Sequence, residues 1–368
     1  MIEFFVWYLV LLGSYLLILF LYMHFSYKFT FYENLIGFLG LSFVLFHVLI
    51  FLNLMFQDVS LHSVSLPLFV LSLGLPILSV LIIIFISSLI YIILKFGFKF
   101  QIFTKYKENM MSRFAKRSKL RNDIYRKLAH VLIFIGLFIL WSIGTIIVQD
   151  LSGSTEGMIP DDNNMLYLYI RIFTQPDSFN EVLFSLGWFY YLLFFFFYIF
   201  TMLMFSIEFT RKTSYFSFPF NFICAVYLCD EEEEGYGAYL YFTLGQMVAS
   251  FFCPPMVFLA ILGISSIADL MTSQIGIRFG KHKIIHNLDK SWEGAIAGCI
   301  TSFIICIFFL GFIWAIIFTL IFFIIDVITK KPVNVSDNLL IPMGCALVFV
   351  LIRYFLAINY SPILLIWI

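Results

Sequence analysis

Long apolar runs separated by short polar islands set the pattern of this chain. Runs at 4–25, 34–56 and 65–94 come first, followed by 129–148 and 182–205. Three more close the chain: 239–268, 295–325 and 339–357. About 20 apolar residues in a helix cross the ~30 Å hydrocarbon core, so each run is long enough for at least one crossing. Pro254-Pro255 interrupts the run at 239–268 and Gly311 the run at 295–325. Each of these is one tilted helix or a hairpin of two short ones. The pattern predicts an all-α, polytopic membrane bundle of roughly eight to ten transmembrane segments. The first run is too long and uniformly apolar for a cleaved leader and lacks a basic start, so it is expected to be a membrane helix.

Composition agrees: 62% of the 368 residues are hydrophobic and 12% charged, against about 25% charged in a soluble domain. A soluble globular protein and a disordered chain are both excluded. Lys and Arg number 22, as do Asp and Glu, but they are unevenly placed. Eleven of the basic residues fall between 95 and 127, which makes that stretch cytoplasmic by the positive-inside rule and puts the N-terminus outside. It would also attract anionic membrane lipids. The loop at 149–181 holds six acids against Arg171 and is expected to be external and partly irregular. The acidic run Asp230 to Glu234 reads as a solvated loop without EF-hand spacing. Basic residues flank membrane segments, so no nucleic-acid partner is expected. The six cysteines form no CxxC pair and read as small core residues. The expected division is 1–94, accessory membrane helices; 95–128, a basic cytoplasmic loop; and 129–368, a catalytic membrane domain.

Charges at the edges of membrane helices mark function. Three clusters stand out. Asp123, Arg126, Lys127 and His130 are spaced i, i+3, i+4, i+7 and share one helical face. A second island runs from Asp269, at the end of an apolar run, through Ser273, Gly276, Gly280 and Lys281 to Lys290-Ser291-Trp292-Glu293-Gly294. A carboxylate for Mg²⁺, glycines for close backbone approach and cations for developing charge are what a magnesium-bound triphosphate needs. It is not a Walker A loop. His282 and His286 stand at i, i+4 and could clasp a metal, but no third ligand accompanies them. The third cluster is Ser336-Asp337-Asn338 with Pro342. Helix capping explains it as well as chemistry does, with Pro342 in a first turn. Asn334 begins a glycosylation sequon.

In order and spacing, these clusters resemble the CTP-dependent lipid kinases: dolichol kinase, phytol kinase and CTP-dependent diacylglycerol kinase. That family carries acid-x-x-Arg-Lys-x-x-His, Gly-Asp-x(6)-Gly-x-x-x-Gly-Lys, Lys-Ser-x-Glu-Gly and Asp-Asn-x-x-Ile-Pro. These look like Asp123 to His130, Asp269 to Lys281, Lys290 to Gly294 and Asp337 to Pro342. Glu208 and Arg211 look like a further acid–Arg pair. The resemblance begins near Arg121 and leaves out the first three helices. Asp123, Ala268 and Ala295 depart from the family's usual Glu, Gly and Ser. A CDP-diacylglycerol synthase shares Lys-x-Trp-Glu-Gly, but its C-terminal His-Gly-Gly and Asp-Arg elements are absent.

The resemblance implies transfer of the CTP γ-phosphate to a lipid alcohol such as dolichol, another polyprenol, diacylglycerol or phytol. The site would lie on the cytoplasmic face of an endoplasmic reticulum or cell membrane. Mg²⁺ or another divalent cation is expected on Asp269 and Asp337. Lys290, Lys281, Arg126 and Lys127 would meet phosphates, with Gly276, Gly280, Ser291, Gly294 and Asn338 lining the nucleotide. His130, Asp123 and Glu293 are the candidate bases. A cytidylyltransferase is one alternative and a transporter another. Transport is disfavoured because the charges cluster at helix ends rather than mid-membrane. A single site requires all three clusters on one face, with turns or breaks at Pro254-Pro255 and Gly311.

Overall fold

The computed structural model describes residues 2–26, 30–57, 119–152, 165–175, 188–212, 235–329 and 335–360, with scattered positions at 78–96 and position 363. Most of the third apolar run, the basic stretch up to 118, the acidic run at 230–234, Cys224, Cys229 and Asn334 lie outside the described residues.

Two units divide the chain: Met1–Arg117 with Phe195–Thr243, and Ser118–Phe194 with Leu244–Ile368. In the first, α1 (Ile2–Ser26) and α2 (Phe31–Gln57) pack together. Thr30 and Glu33 form a capping box at the start of α2: the Thr30 N–H donates to Glu33 Oε2 at 2.9 Å, and the Glu33 N–H to Thr30 Oγ1 at 3.4 Å.

Further helices are α3 (Lys119–Ser152), α4 (Met165–Thr174), α5 (Trp188–Lys212), α6 (Ala238–Phe252), α7 (Pro255–Gly263), α8 (Asp269–Phe279), α9 (Trp292–Leu310), α10 (Phe312–Ile328) and α11 (Asp337–Leu356). Helices α3, α4 and α7 to α11 lie in the second unit, and α5 and α6 are divided between the two. At the centre of the second unit, α7 is apolar all round and every one of its nine residues is buried, as expected of a core helix. It continues through a π-helical turn, Ile264–Ala268, into α8. Around this rod pack α3, α9 and α11. Outward faces stay apolar: Leu132, Ile135, Ile139 and Ile143 on α3, and Ile296, Ile300 and Ile304 on α9, are exposed. Such stripes belong against lipid rather than water. Among the described residues, four helical stretches are long and apolar enough to cross a membrane: Asp123–Ile147, Pro255–Phe279, Trp292–Leu310 and Asp337–Leu356.

Both expected breaks are present. Pro254 and Pro255 separate α6 from α7, with Pro255 in the first turn where its missing N–H is harmless. Gly311 has φ 89° and joins α9 to α10, a left-handed conformation that favours glycine. Helices α9 and α10 form a hairpin that brings the end of α10 back to the start of α9.

Three differences from the sequence reading concern the site. Asp269 is not at the end of an apolar helix; it lies within a continuous helical rod. A two-stranded antiparallel hairpin, β1 (Lys283–Ile284) and β2 (Asn287–Ser291), interrupts the helices. Pro342 is the sixth residue of α11 rather than part of its first turn.

Candidate active site

The starts of α3, α9 and α11, the end of α10, and α8 meet at one end of the second unit. Each brings a charge. Lys127 on α3 reaches across to α8, where Nζ lies 2.9 Å from Asp269 Oδ1. It also donates to the Asp269 carbonyl at 2.9 Å and to Ser273 Oγ at 3.0 Å. Ser273 Oγ stands 2.5 Å from Asp123 Oδ2, which also accepts from Gln274 Nε2 at 2.8 Å. The i, i+4 spacing of Asp123 and Lys127 thus matches that of Asp269 and Ser273, helix to helix. The first and second sequence clusters, some 140 residues apart, form one network.

The π turn bears on this placement. A single π turn adds a residue to the helical repeat and rotates the rest of the helix about its axis. Asp269 is the first residue after it and is buried, 6% exposed. A buried carboxylate this poorly hydrated needs its ammonium partner, and removing one member of such a pair costs about 3–5 kcal/mol.

Lys290 on β2 joins the second cluster to the third. Its Nζ is 2.7 Å from Asp326 Oδ1 and 3.3 Å from Asp337 Oδ2. It donates as well to the Asp326 carbonyl and Thr329 Oγ1, both at 2.7 Å. Burial would push this ammonium's pKa down, but the adjoining Asp337 and Asp326 outweigh it and hold the pKa above the ordinary lysine range. Two neighbours on the hairpin help: Asn287 Nδ2 donates to the Thr329 carbonyl at 2.6 Å, and His286 Nε2 is 3.2 Å from the Val327 carbonyl. Together these side chains satisfy carbonyls that the last turn of α10 leaves without intrahelical donors. That is why a strand of sequence Asn-Leu-Asp-Lys-Ser forms here.

Other predicted residues are placed differently. Glu293, at the start of α9, accepts from the backbone N–H of Lys281 at 3.2 Å and of His282 at 3.1 Å. It also pairs with His282 Nδ1 at 2.6 Å. It therefore closes the base of the hairpin. His282 and His286 make separate contacts and do not clasp a metal together. The Lys281 side chain is exposed. His130 is buried on α3 one turn beyond Lys127, and Arg126 is half-buried. Ser291 caps α9 by accepting from the Gly294 N–H. Asn338 donates its N–H to Asp337 Oδ1 at 3.0 Å. Pro342 offers no N–H to the Asn338 carbonyl four residues back. That carbonyl instead faces α6, only 2.8 Å from where a Cβ on Gly245 would sit.

The glycines read as nucleotide-facing form a packing seam. A Cβ on Gly294 would lie 2.6 Å from the Thr272 carbonyl and 3.1 Å from Gly276 Cα. One on Gly280 would collide with the Gly276 carbonyl and with Ser291. Gly298 likewise lies against Thr272 and Phe322. Small residues let α8 and α9 approach this closely, as in membrane helix pairs generally.

In the first unit, Glu208 is fully buried and accepts the Gly237 N–H at 2.8 Å. The Arg211 side chain lies outside the described residues.

A phytol kinase from Synechocystis sp. is 28% identical over 132 residues, covering 32% of this chain and 54% of the relative. The chain spans about half the length of the curated relative it matches. No family model and no solved structure matches it.

Asp326 is the functional candidate that sequence reasoning missed. It is 2% exposed, and its Oδ2 makes no hydrogen bond among the described residues. With Asp269 and Asp337 it gives the site three carboxylates against two lysines. Hard carboxylate oxygens of this kind suit Mg²⁺. Among the described residues, however, no three His, Cys, Asp or Glu side chains are grouped closely enough to enclose an ion. Each carboxylate is turned onto a lysine instead.

Proposed function

We propose that this chain is a membrane-embedded kinase that transfers the γ-phosphate of CTP to the hydroxyl of a lipid alcohol at the cytoplasmic face of a multi-pass bundle. The observation that carries this reading is the Lys127–Asp269 pair at 2.9 Å, which brings the first kinase-like cluster onto the second. The Lys290–Asp337 contact adds the third.

In this reading the lipid oxygen attacks the γ-phosphorus, the bond to the β-phosphate oxygen breaks, and CDP leaves. Phosphoryl transfer of this kind rests on positioning and charge neutralisation more than on a base. Lys290, Lys127 and Arg126 offset phosphate charge, and exposed Lys281 guides the nucleotide inward. Asp269 and Asp337, with Asp326, would hold Mg²⁺, which would supply positive charge to offset that of the phosphates. Gly276, Gly280, Ser291 and Gly294 hold α8 and α9 close enough to fix these groups, and Asn338 steadies Asp337. His130 and Asp123 stand nearest the Lys127 pair for proton transfer. Glu293 acts by fixing the hairpin that carries Lys290.

Incubation of the purified protein with CTP and dolichol, phytol or diacylglycerol tests the reading. Label from γ-phosphate should enter lipid and label from α-phosphate should not. Entry of α-label with pyrophosphate release would make the protein a cytidylyltransferase and overturn it.

A further inference from the structure

The β1–β2 hairpin carries its most apolar side chains at an unshielded tip. Pairing of Ile284 with Asn287 leaves a two-residue loop, Ile285-His286, where tight hairpin turns favour Gly, Asn or Asp. Ile285 is 93% exposed, and Leu288, just past the loop, is 70% exposed. Gly280, at the base of the hairpin, packs on Ser291, so Phe279 at the end of α8 and Trp292 at the start of α9 stand at one level. Both are exposed aromatic residues, of the kind that mark a membrane–water boundary. Trp292 also begins the exposed α9 stripe that continues through Ile296, Ile300 and Ile304. From this level the hairpin does not rise away. His286 Nε2 meets the Val327 carbonyl, Asn287 Nδ2 the Thr329 carbonyl and Lys290 Nζ Asp326 Oδ1, so three of its residues touch a single turn of α10. One turn earlier, Ile324 is exposed, which sets the tip beside an apolar wall. Around it, exposed Arg278, Lys281 and Lys283 stand against the exposed acid Asp289, because Glu293 is taken up by the hairpin's base.

We propose that the hairpin is an interfacial membrane anchor, in which Ile285 and Leu288 insert among acyl chains at the headgroup boundary while Arg278 and Lys283 bind anionic lipid headgroups. A bilayer surface matches both halves of this pattern: it takes up apolar side chains, and its negative potential attracts cations beside them. The occupant is lipid because the patch continues, through Trp292, from the outward apolar stripe of α9. The anchor needs no particular substrate. Seating the hairpin also steadies the strand that carries Lys290, and only that consequence for phosphate transfer rests on the kinase reading.

Full-length protein in lipid nanodiscs, spin-labelled at Ile285→Cys and followed by paramagnetic resonance, tests this. Wild-type protein labelled in parallel gives the background from native cysteines. Collisions of the label with oxygen, which concentrates in the bilayer, should exceed those with a water-soluble nickel chelate severalfold. The excess should grow when phosphatidylserine is added to phosphatidylcholine, and Arg278→Gln with Lys283→Gln should cancel that growth. Nickel collisions prevailing at the tip would overturn the anchor. So would a label that neither reagent reaches, which marks burial against a second copy of the chain. A depth indifferent to phosphatidylserine would overturn the headgroup contact. If Ile285→Cys does not fold, Leu288→Cys carries the same measurement. Labelled-phosphate transfer is read separately on the wild type. An oxygen-accessible tip without transfer would keep the anchor and discard the kinase, and transfer with a nickel-accessible tip would do the reverse.

Discussion

Lys127 and Lys290 are held by the same device at two places. In each, one aspartate offers a carboxylate oxygen and its own carbonyl, and a hydroxyl one helical turn further on completes the pocket: Asp269 with Ser273, and Asp326 with Thr329. They differ in where the aspartate sits. Asp269 opens α8 in the middle of a continuous rod, so its carbonyl does not depend on Lys127 for a partner. Asp326 is in the last turn of α10, where carbonyls have no following amide. Lys290 therefore caps a helix and also joins Asp337. The lesson is that equal-looking ion pairs divide labour: Lys127 orients a carboxylate, whereas Lys290 also builds the end of the fold.

The largest expected effect separates these roles. Asp269→Asn keeps shape and removes charge. We expect phosphate transfer to fall by about 100-fold or more, with a loss of stability from the unpaired Lys127 that is smaller than in Asp326→Asn, because Lys127 keeps the residue-269 carbonyl and Ser273 Oγ. Asp326→Asn should lower both activity and the thermal midpoint, because it loosens the cap on α10. Transfer assays alongside melting curves in detergent check this. Matching losses of stability in both variants would erase the distinction.

A second contrast sets the glycine seam against the ionic pockets. Gly294→Ala pushes a methyl to within 2.6 Å of the Thr272 carbonyl, a backbone atom that cannot swing away. Overpacking of this kind costs about 1–3 kcal/mol. Gly276→Ala meets the Ser291 hydroxyl at 3.2 Å and should cost less than about 1 kcal/mol. Activity per folded molecule should stay within about twofold for Gly276→Ala. A collapse of turnover in a normally stable Gly276→Ala protein would return that glycine to the nucleotide.

The membrane solvent explains why much of the site was legible in the sequence. In a chain this apolar, a buried charge has no inexpensive place, so Lys127, Asp269, Lys290 and Asp337 stood out and all four converge. The breaks at Pro254-Pro255 and Gly311 were readable because proline fixes φ and lacks an N–H, while glycine tolerates the positive φ of a sharp turn. Asp326 was hidden because it borders a polar island and passes for loop, although it closes a helix. The π turn at Ile-Ser-Ser-Ile-Ala has no local signature. The hairpin was missed because β2 contains no β-branched residue, and its pairing is rewarded by the carbonyls of α10, some 40 residues downstream. Gly276, Gly280 and Gly294, singled out for close approach to phosphate, stand at points of close approach between protein segments. The nearest atoms belong to the neighbouring helix, which spacing within one segment does not reveal.

The smallest effect probes the two hydroxyls. Ser273 Oγ receives Lys127 and stands 2.5 Å from Asp123, so it links two charged side chains. Thr329 Oγ1 receives Lys290 and turns toward the Asp326 carbonyl, which Lys290 already satisfies. Ser273→Ala therefore leaves Asp123 with Gln274 alone and Lys127 with one oxygen fewer. Thr329→Val leaves Lys290 its two carboxylates and a carbonyl. A hydrogen bond to a charged group is worth about 1.5–3 kcal/mol, and where alternatives remain the loss is smaller. We expect Ser273→Ala to reduce turnover about tenfold and Thr329→Val about threefold. Asp123→Asn should act like Ser273→Ala, and combining the two should add little, because they remove one shared interaction. Additive losses in that double variant would show that Asp123 and Ser273 act separately and would break the parallel between the two lysine pockets.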